Sequence, residues 1–62
     1  MRVNQYIKEI ERHGWVIKRQ TGSHKMLVNT QTGIIYTLGL HDRDDLGKPM
    51  RARLNKALGV KV

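Results

Sequence analysis

The stretch WVIKRQTGSHKMLVN, residues 15–29, decides the fold, because two strand-like runs lie on either side of a turn-forming triplet. Residues 15–20 carry a tryptophan and two β-branched side chains, which favour a first strand. Residues 21–23, Thr-Gly-Ser, are small turn formers of the kind found in tight hairpin connections. The sequence therefore predicts a hairpin whose second strand covers residues 24–29.

Successive side chains of a strand point to opposite faces of the sheet. Trp15 and Ile17 are therefore expected on one face, and Val16 and Lys18 on the other. A tryptophan at the start of a strand belongs to the core or stacks on a nucleic-acid base, and the core is the commoner place. The same two interpretations apply to Tyr36.

On the C-terminal side of the hairpin, a turn at residues 30–33 leads into a third β-favouring run at 34–38. Residues 41–45 are polar and charged, so we expect a surface loop there. Pro49 suits the first turn of a second helix, and Gly59 suits its C-terminal cap. The apolar residues that recur at helical spacing in this segment are Met50, Leu54, Ala57 and Leu58.

On the N-terminal side, an amphipathic helix is predicted to end by His13, with Gly14 as its left-handed cap. Its apolar positions are Val3, Tyr6, Ile7 and Ile10. The order of elements predicts an α+β fold, α-β-β-β-α, in which a three-stranded antiparallel sheet carries both helices on one face. We expect one domain over residues 1–62.

The composition restricts the class of protein. Twelve Lys and Arg residues against five Asp and Glu give a formal net charge of +7, which points to an anionic partner such as a nucleic acid. Cysteine is absent, and the three histidines lack the spacing of a metal site, so we expect neither metal nor cofactor. The N-terminal segment has no apolar run for a signal peptide or membrane span, so we expect a cytoplasmic protein without a membrane contact.

The triplet Gly22-Ser23-His24 is the best candidate for chemistry, because its glycine allows a sharp turn and its histidine starts a strand close to solvent. Histidine as a residue type has an unperturbed pKa near 6.5 and exchanges a proton at neutral pH. RNA supplies its own nucleophile, the 2′-hydroxyl, so a site without metal suffices. Ser23 could donate to phosphate or only cap the turn, and His24 could equally be an ordinary exposed hairpin residue.

Other polar residues have possible supporting roles. Lys18, Arg19 and Lys25 lie near His24 in sequence and could stabilise charge on the phosphorus. His41 is a second candidate acid or base, provided that the third strand returns beside the second, although it could simply cap a strand end. The basic residues of the second helix could follow a phosphate backbone or form a solvated face: these are Lys48, Arg51, Arg53 and Lys56.

Taken in order, four features resemble the HicA family of messenger-RNA interferase toxins. They are Gly14-Trp15, Gly22-Ser23-His24-Lys25 eight residues later, a loop with His41 and Asp45-Leu46, and the ending Lys56-Ala57-Leu58-Gly59. The resemblance implies a fold like that of double-stranded-RNA-binding domains, metal-independent RNA cleavage by His24, and a HicB-like antitoxin that covers the active site. The chain departs from the family at Pro49-Met50, where Gly-Thr is common, and at Arg51, where an apolar residue is common.

Two other functions remain open from the sequence. The chain could be a non-catalytic module that grips structured RNA through its basic surface. It could also be a small phage-type regulatory protein whose charge serves an acidic protein partner. The sequence leaves its oligomeric state and any cleavage preference open.

Overall fold

The computed structural model describes all of residues 1–62. Its elements are α1 (Val3–Glu11), β1 (Trp15–Thr21), β2 (His24–Asn29), β3 (Ile35–Gly39) and α2 (Lys48–Leu58). The strands form one antiparallel sheet in the order β1-β2-β3. This confirms the predicted α-β-β-β-α order, although β1 ends one residue later than expected and β3 is shifted by one residue towards the C-terminus.

Glycines in the left-handed conformation follow both helices, as the sequence predicts. After α1, Gly14 has a φ of +88° and turns the chain directly into β1. After α2, Gly59 has a φ of +68°, and its N–H donates to the carbonyl of Asn55. The apolar side of α2 is shorter than predicted, because only Leu54 and Leu58 are buried while Met50, in the first turn, is 40% exposed.

Both helices pack on the same face of the sheet. Trp15 and Leu27 lie on that face, and both are buried. The indole Nε1 of Trp15 donates to the carbonyl of Leu58 at the end of α2, with an N···O distance of 3.1 Å. The hydroxyl of Tyr6 on α1 donates to Oδ1 of Asn55 on α2 at 2.8 Å, which joins the two helices to each other. The structure therefore confirms the predicted layers and the core position of Trp15.

A β-bulge at Lys18 changes the faces that simple alternation predicts for β1. Ile17 pairs with Leu27, but the next paired residue is Arg19, which lies opposite Met26, so Lys18 has no partner across the ladder. Beyond the bulge Arg19 faces the same side as Val16, the side away from the helices. The ladder does not assign Lys18 to a face, but the bulge moves the residues that follow it, because one extra residue in a strand shifts all later side chains by one face.

The side of the sheet away from the helices is not covered by any other element, and we call it the open face. Paired residues of antiparallel strands point to the same face, so the ladder identifies its members. They are Val16, Arg19 and Thr21 on β1, His24, Met26 and Val28 on β2, and Ile35, Thr37 and Gly39 on β3. Neither helix is long and apolar enough to cross a membrane.

Candidate active site

His24 is the first residue of β2 and lies on the open face, where its side chain is exposed. Thr21 is its partner on β1, so only Gly22 and Ser23 connect the two strands. Gly22 has a φ of +59°, which suits the first central position of a two-residue hairpin turn. Ser23, half-buried, completes this turn. A rigid two-strand hairpin therefore presents the imidazole to solvent.

The imidazole of His24 also lies beside the last residue of β3. Gly39 is its partner across that side of the ladder. A Cβ atom built on Gly39 would lie 3.5 Å from Cδ2 and 3.7 Å from Nε2 of the ring. Because glycine has no side chain, Gly39 itself leaves the space beside this edge of the ring open. Gly39 was not predicted as a site residue, because its only sequence signal is its place at the end of the third strand-like run.

The bulge places Arg19 rather than Lys18 in register with the open-face residues of β2. Arg19 is opposite Met26, which is two residues from His24 along the same strand and on the same face. Such diagonal neighbours are about 7–8 Å apart, within reach of a long side chain. The side chains of Lys18 and Arg19 are both exposed. Of the predicted RNA-binding residues on β1, Arg19 is therefore the one that the ladder places on the same face as His24.

Lys25 follows His24 directly but faces the opposite side of the sheet. It is only 1% exposed, and its Nζ lies 2.7 Å from the carbonyl oxygen of Leu40 and 2.9 Å from Oδ1 of Asp42. The expectation that Lys25 supplies charge beside His24 is therefore corrected. Neighbouring side chains on a strand point apart, and this ammonium is already held on the helix side. The 17-residue separation from Asp42 leaves no local sequence signal for the pair.

His41 lies two residues beyond Gly39, at the end of the sheet where His24 begins β2. Its side chain is exposed. Its backbone N–H donates to Oδ2 of Asp44 at 3.1 Å, and its carbonyl accepts the Asp44 N–H at 3.1 Å. A role for His41 in the site required that the third strand return beside the second. The structure shows this pairing of β3 with β2.

The basic residues of α2 belong to the helix layer, on the other side of the sheet from the open face. Lys48, Arg53 and Lys56 are exposed, and Arg51 is half-buried. The structure thus divides the predicted RNA-binding residues into a β1 group, Lys18 and Arg19, and a group on α2. An extended polyanion would have to pass around the edge of the domain to contact both groups.

A known protein family matches nearly the whole chain. The family model described as the HicA toxin of bacterial toxin–antitoxin systems matches residues 3–60 of the chain. No curated protein and no solved structure matches it. The family match covers all five helices and strands, including the hairpin that carries His24. On this match, the chain belongs to the HicA toxin family of bacterial toxin–antitoxin systems.

Proposed function

We propose that this toxin is a metal-independent endoribonuclease of the cytoplasm that cleaves messenger RNA with His24. The observation that carries the proposal is the exposed imidazole at the base of the two-residue turn, where the ring lies beside Gly39 of β3. A phosphodiester can approach such a ring from solvent. The hairpin and β3 restrict its position, as proton transfer at a defined atom requires.

The reaction uses the nucleophile that RNA carries. The 2′-hydroxyl loses its proton, its oxygen bonds to the neighbouring phosphorus, and the bond from phosphorus to the 5′-oxygen breaks. The 5′-oxygen takes up a proton, so the products are a 2′,3′-cyclic phosphate and a free 5′-hydroxyl. His24 serves as base or acid in this exchange, and the guanidinium of Arg19 stabilises negative charge on the phosphate oxygens.

Affinity for RNA comes mainly from charge in this proposal. A formal net charge of +7 on 62 residues favours binding of phosphates with release of counterions. The exposed Lys48, Arg53 and Lys56 of α2 extend the contact beyond the site, by shape and phosphate recognition as in double-stranded-RNA-binding domains. Sequence-independent contacts of this kind suit a toxin that acts on many messengers.

A toxin of this family has a cognate antitoxin in its toxin–antitoxin system. We expect an acidic, HicB-like protein that covers the open face and so blocks His24. Besides the basic character of the chain, the exposed apolar side chains of Val16 and Ile35 on this face support a protein partner, since burying them would add to affinity.

The test compares wild-type protein, His24→Ala and His13→Ala on one long messenger RNA with EDTA present. His13 is an exposed histidine between α1 and β1, at the end of β2 opposite His24, where its carbonyl accepts a hydrogen bond from Asn29, and it serves as the matched control. We expect wild type and His13→Ala to cut and His24→Ala to bind RNA without cutting. Equal binding by all three proteins with no cleavage would instead identify a non-catalytic RNA-binding module, the second candidate function.

A further inference from the structure

The ammonium of Lys25 is an unusual group to find inside so small a domain. Lys25 is among the most buried side chains, together with Tyr6, Ile10, Leu27 and Val3. A buried ion pair commonly adds little stability over an apolar side chain of similar volume, because both charges lose water. Its better-attested use is to select one conformation. Lys25 is therefore expected to select one conformation of the residues that it binds.

The two acceptors of Lys25 lie on either side of His41 in the chain. One is the carbonyl of Leu40 at 2.7 Å, and the other is the carboxylate of Asp42 at 2.9 Å. Leu40 itself packs against the core. A single ammonium on β2 therefore fixes the residues before and after an exposed histidine.

The other side of the same loop is held by α1. The carbonyl of Asp42 accepts the N–H of Asn4, and the carbonyl of Asp44 accepts the N–H of Val3, both at 3.0 Å. These are N–H groups of the first turn of α1, which has no acidic side chain of its own there. The backbone of His41 is thus held by β2, by its own turn with Asp44, and by the start of α1.

His41 follows the ladder at the end where His24 lies. Gly39 is the partner of His24, and His41 lies two residues further on. Two trans peptide units span at most about 7.6 Å, so the Cα atom of His41 lies within about that distance of the Cα atom of Gly39. Because Gly39 pairs with His24, the two histidines adjoin the same end of the sheet. Cleavage by the 2′-hydroxyl needs one group that takes a proton and another that gives one, on the attacking and leaving sides of the phosphorus.

We infer that Lys25 is a positioning residue that holds His41 as the second acid–base group of the site, opposite His24. This inference rests on the proposed ribonuclease function. One histidine accepts the proton of the 2′-hydroxyl, and the other donates a proton to the departing 5′-oxygen. Lys25 does not contact RNA, because its ammonium faces the helix side of the sheet. It acts through the backbone on either side of His41.

The inference predicts a shared effect of Lys25 and His41 on the dependence of the rate on pH. With one histidine neutral and the other protonated, the wild-type rate falls at both low and high pH. His41→Ala removes one of these two limbs and lowers the rate by about 100-fold. The charged groups that adjoin His41 are Lys25 from β2, Asp42, Arg43 and Asp44 of its own loop, and Arg2, whose guanidinium binds the carbonyl of Arg43.

The experiment measures single-turnover cleavage against pH for wild type, His41→Ala, Lys25→Met and the double variant. Methionine keeps the volume and the unbranched stem of lysine without its charge. We expect Lys25→Met to weaken the same limb as His41→Ala, and the double variant to be no slower than His41→Ala alone. Tyr6→Phe, which removes a hydrogen bond elsewhere in the core, should leave the shape of the profile unchanged.

Two results would overturn the inference while His24→Ala remains inactive. One is that Lys25→Met lowers the cleavage rate by the same factor in wild type and in His41→Ala. The other is that Lys25→Met has the same pH profile as wild type. If Lys25→Met fails to fold, Asp42→Asn takes its place, because that side chain is 56% exposed and its change removes only the charge of the pair. Cleavage that persists in His24→Ala would instead contradict the proposed function itself.

Discussion

His24 and Gly39 face each other across β2 and β3, and a methyl group on Gly39 would lie 3.5 Å from Cδ2 of the imidazole. That distance is an ordinary van der Waals contact, so an alanine would fit without moving the strand. It would nevertheless lie against the Cδ2–Nε2 edge of the ring. In the proposed mechanism, that methyl group would narrow the space through which a phosphodiester reaches His24.

Gly39→Ala should leave the protein folded and its RNA affinity unchanged while it lowers the cleavage rate. We expect a loss of about tenfold, since small displacements of reacting groups cost up to about 100-fold in rate. Gly39→Val should lose more. The matched control is Gly47→Ala, where the new methyl group would meet only Pro49, at 3.8 Å. Equal activity of Gly39→Val and wild type, measured under single turnover, would show that this edge of the ring is not used.

Arg19→Ala should lower the cleavage rate more than Lys18→Ala, because the bulge aligns only Arg19 with the open-face residues Met26 and His24. Loss of one charge-stabilising donor at a reacting group costs about 100-fold or more in rate. Lys18→Ala should mainly weaken RNA binding. The slope of the logarithm of the binding constant against the logarithm of the salt concentration should become shallower by about one. Cleavage rates and binding at several salt concentrations separate these effects. Equal rate losses in the two variants would contradict the assignment.

Burial raises the pKa of Tyr6 to about 12, with a smaller contribution from the charge of Tyr36. An unfolded tyrosine ionises near pH 10. The folded state therefore binds the proton of Tyr6 more tightly. The contribution of this proton to the free energy of unfolding should be complete below pH 10 and should be lost as the pH rises through 12. Denaturant titrations across this range should show the loss in wild type and much less of it in Tyr6→Phe.

Tyr6→Phe carries a separate cost at neutral pH, because it removes the hydrogen bond from the hydroxyl to Asn55. We expect a loss of about 1 kcal/mol in the free energy of unfolding. A neutral-pH stability equal to that of wild type would show that this bond contributes nothing.

Leu27→Ala should destabilise the protein strongly, because Leu27 lies in the central strand and is 1% exposed. Such truncations cost about 2–5 kcal/mol, a large part of the stability of a small domain. Ile34→Ala is the control, since Ile34 is 58% exposed just before β3 and its loss should change stability by at most about 0.5 kcal/mol. Thermal unfolding of both variants measures the difference, and similar transition temperatures would argue against the described core.

The sequence was sufficient to predict the helices and the hairpin, because their signals are local. Apolar spacing predicts the buried side of α1, and Gly14 and Gly59 mark the helix ends. The bulge at Lys18 escaped prediction, since residues 18–20 are all polar and give no sign of which one lacks a partner. Lys25 escaped for a different reason. A strand lysine is ordinarily exposed, and only the return of the chain after β3 brings Asp42 to it.

The family and the position of His24 were likewise visible in the Gly22-Ser23-His24 motif and its spacing from Trp15. The surroundings of His24 were not, because they depend on pairing between strands. Register decides that Gly39 borders the ring and that Arg19 shares its face. Residues adjacent in sequence, such as His24 and Lys25, are in turn separated by the sheet.

The chemical ends of the RNA fragments test the central claim, cleavage by the 2′-hydroxyl with His24, most directly. Purified wild-type protein would be incubated with one defined RNA in EDTA, and the fragment ends identified by mass spectrometry. The account predicts a 2′,3′-cyclic phosphate and a 5′-hydroxyl from wild type and no fragments from His24→Ala. Fragments with a free 3′-hydroxyl and a 5′-phosphate would contradict it, because they require water rather than the 2′-oxygen as the nucleophile.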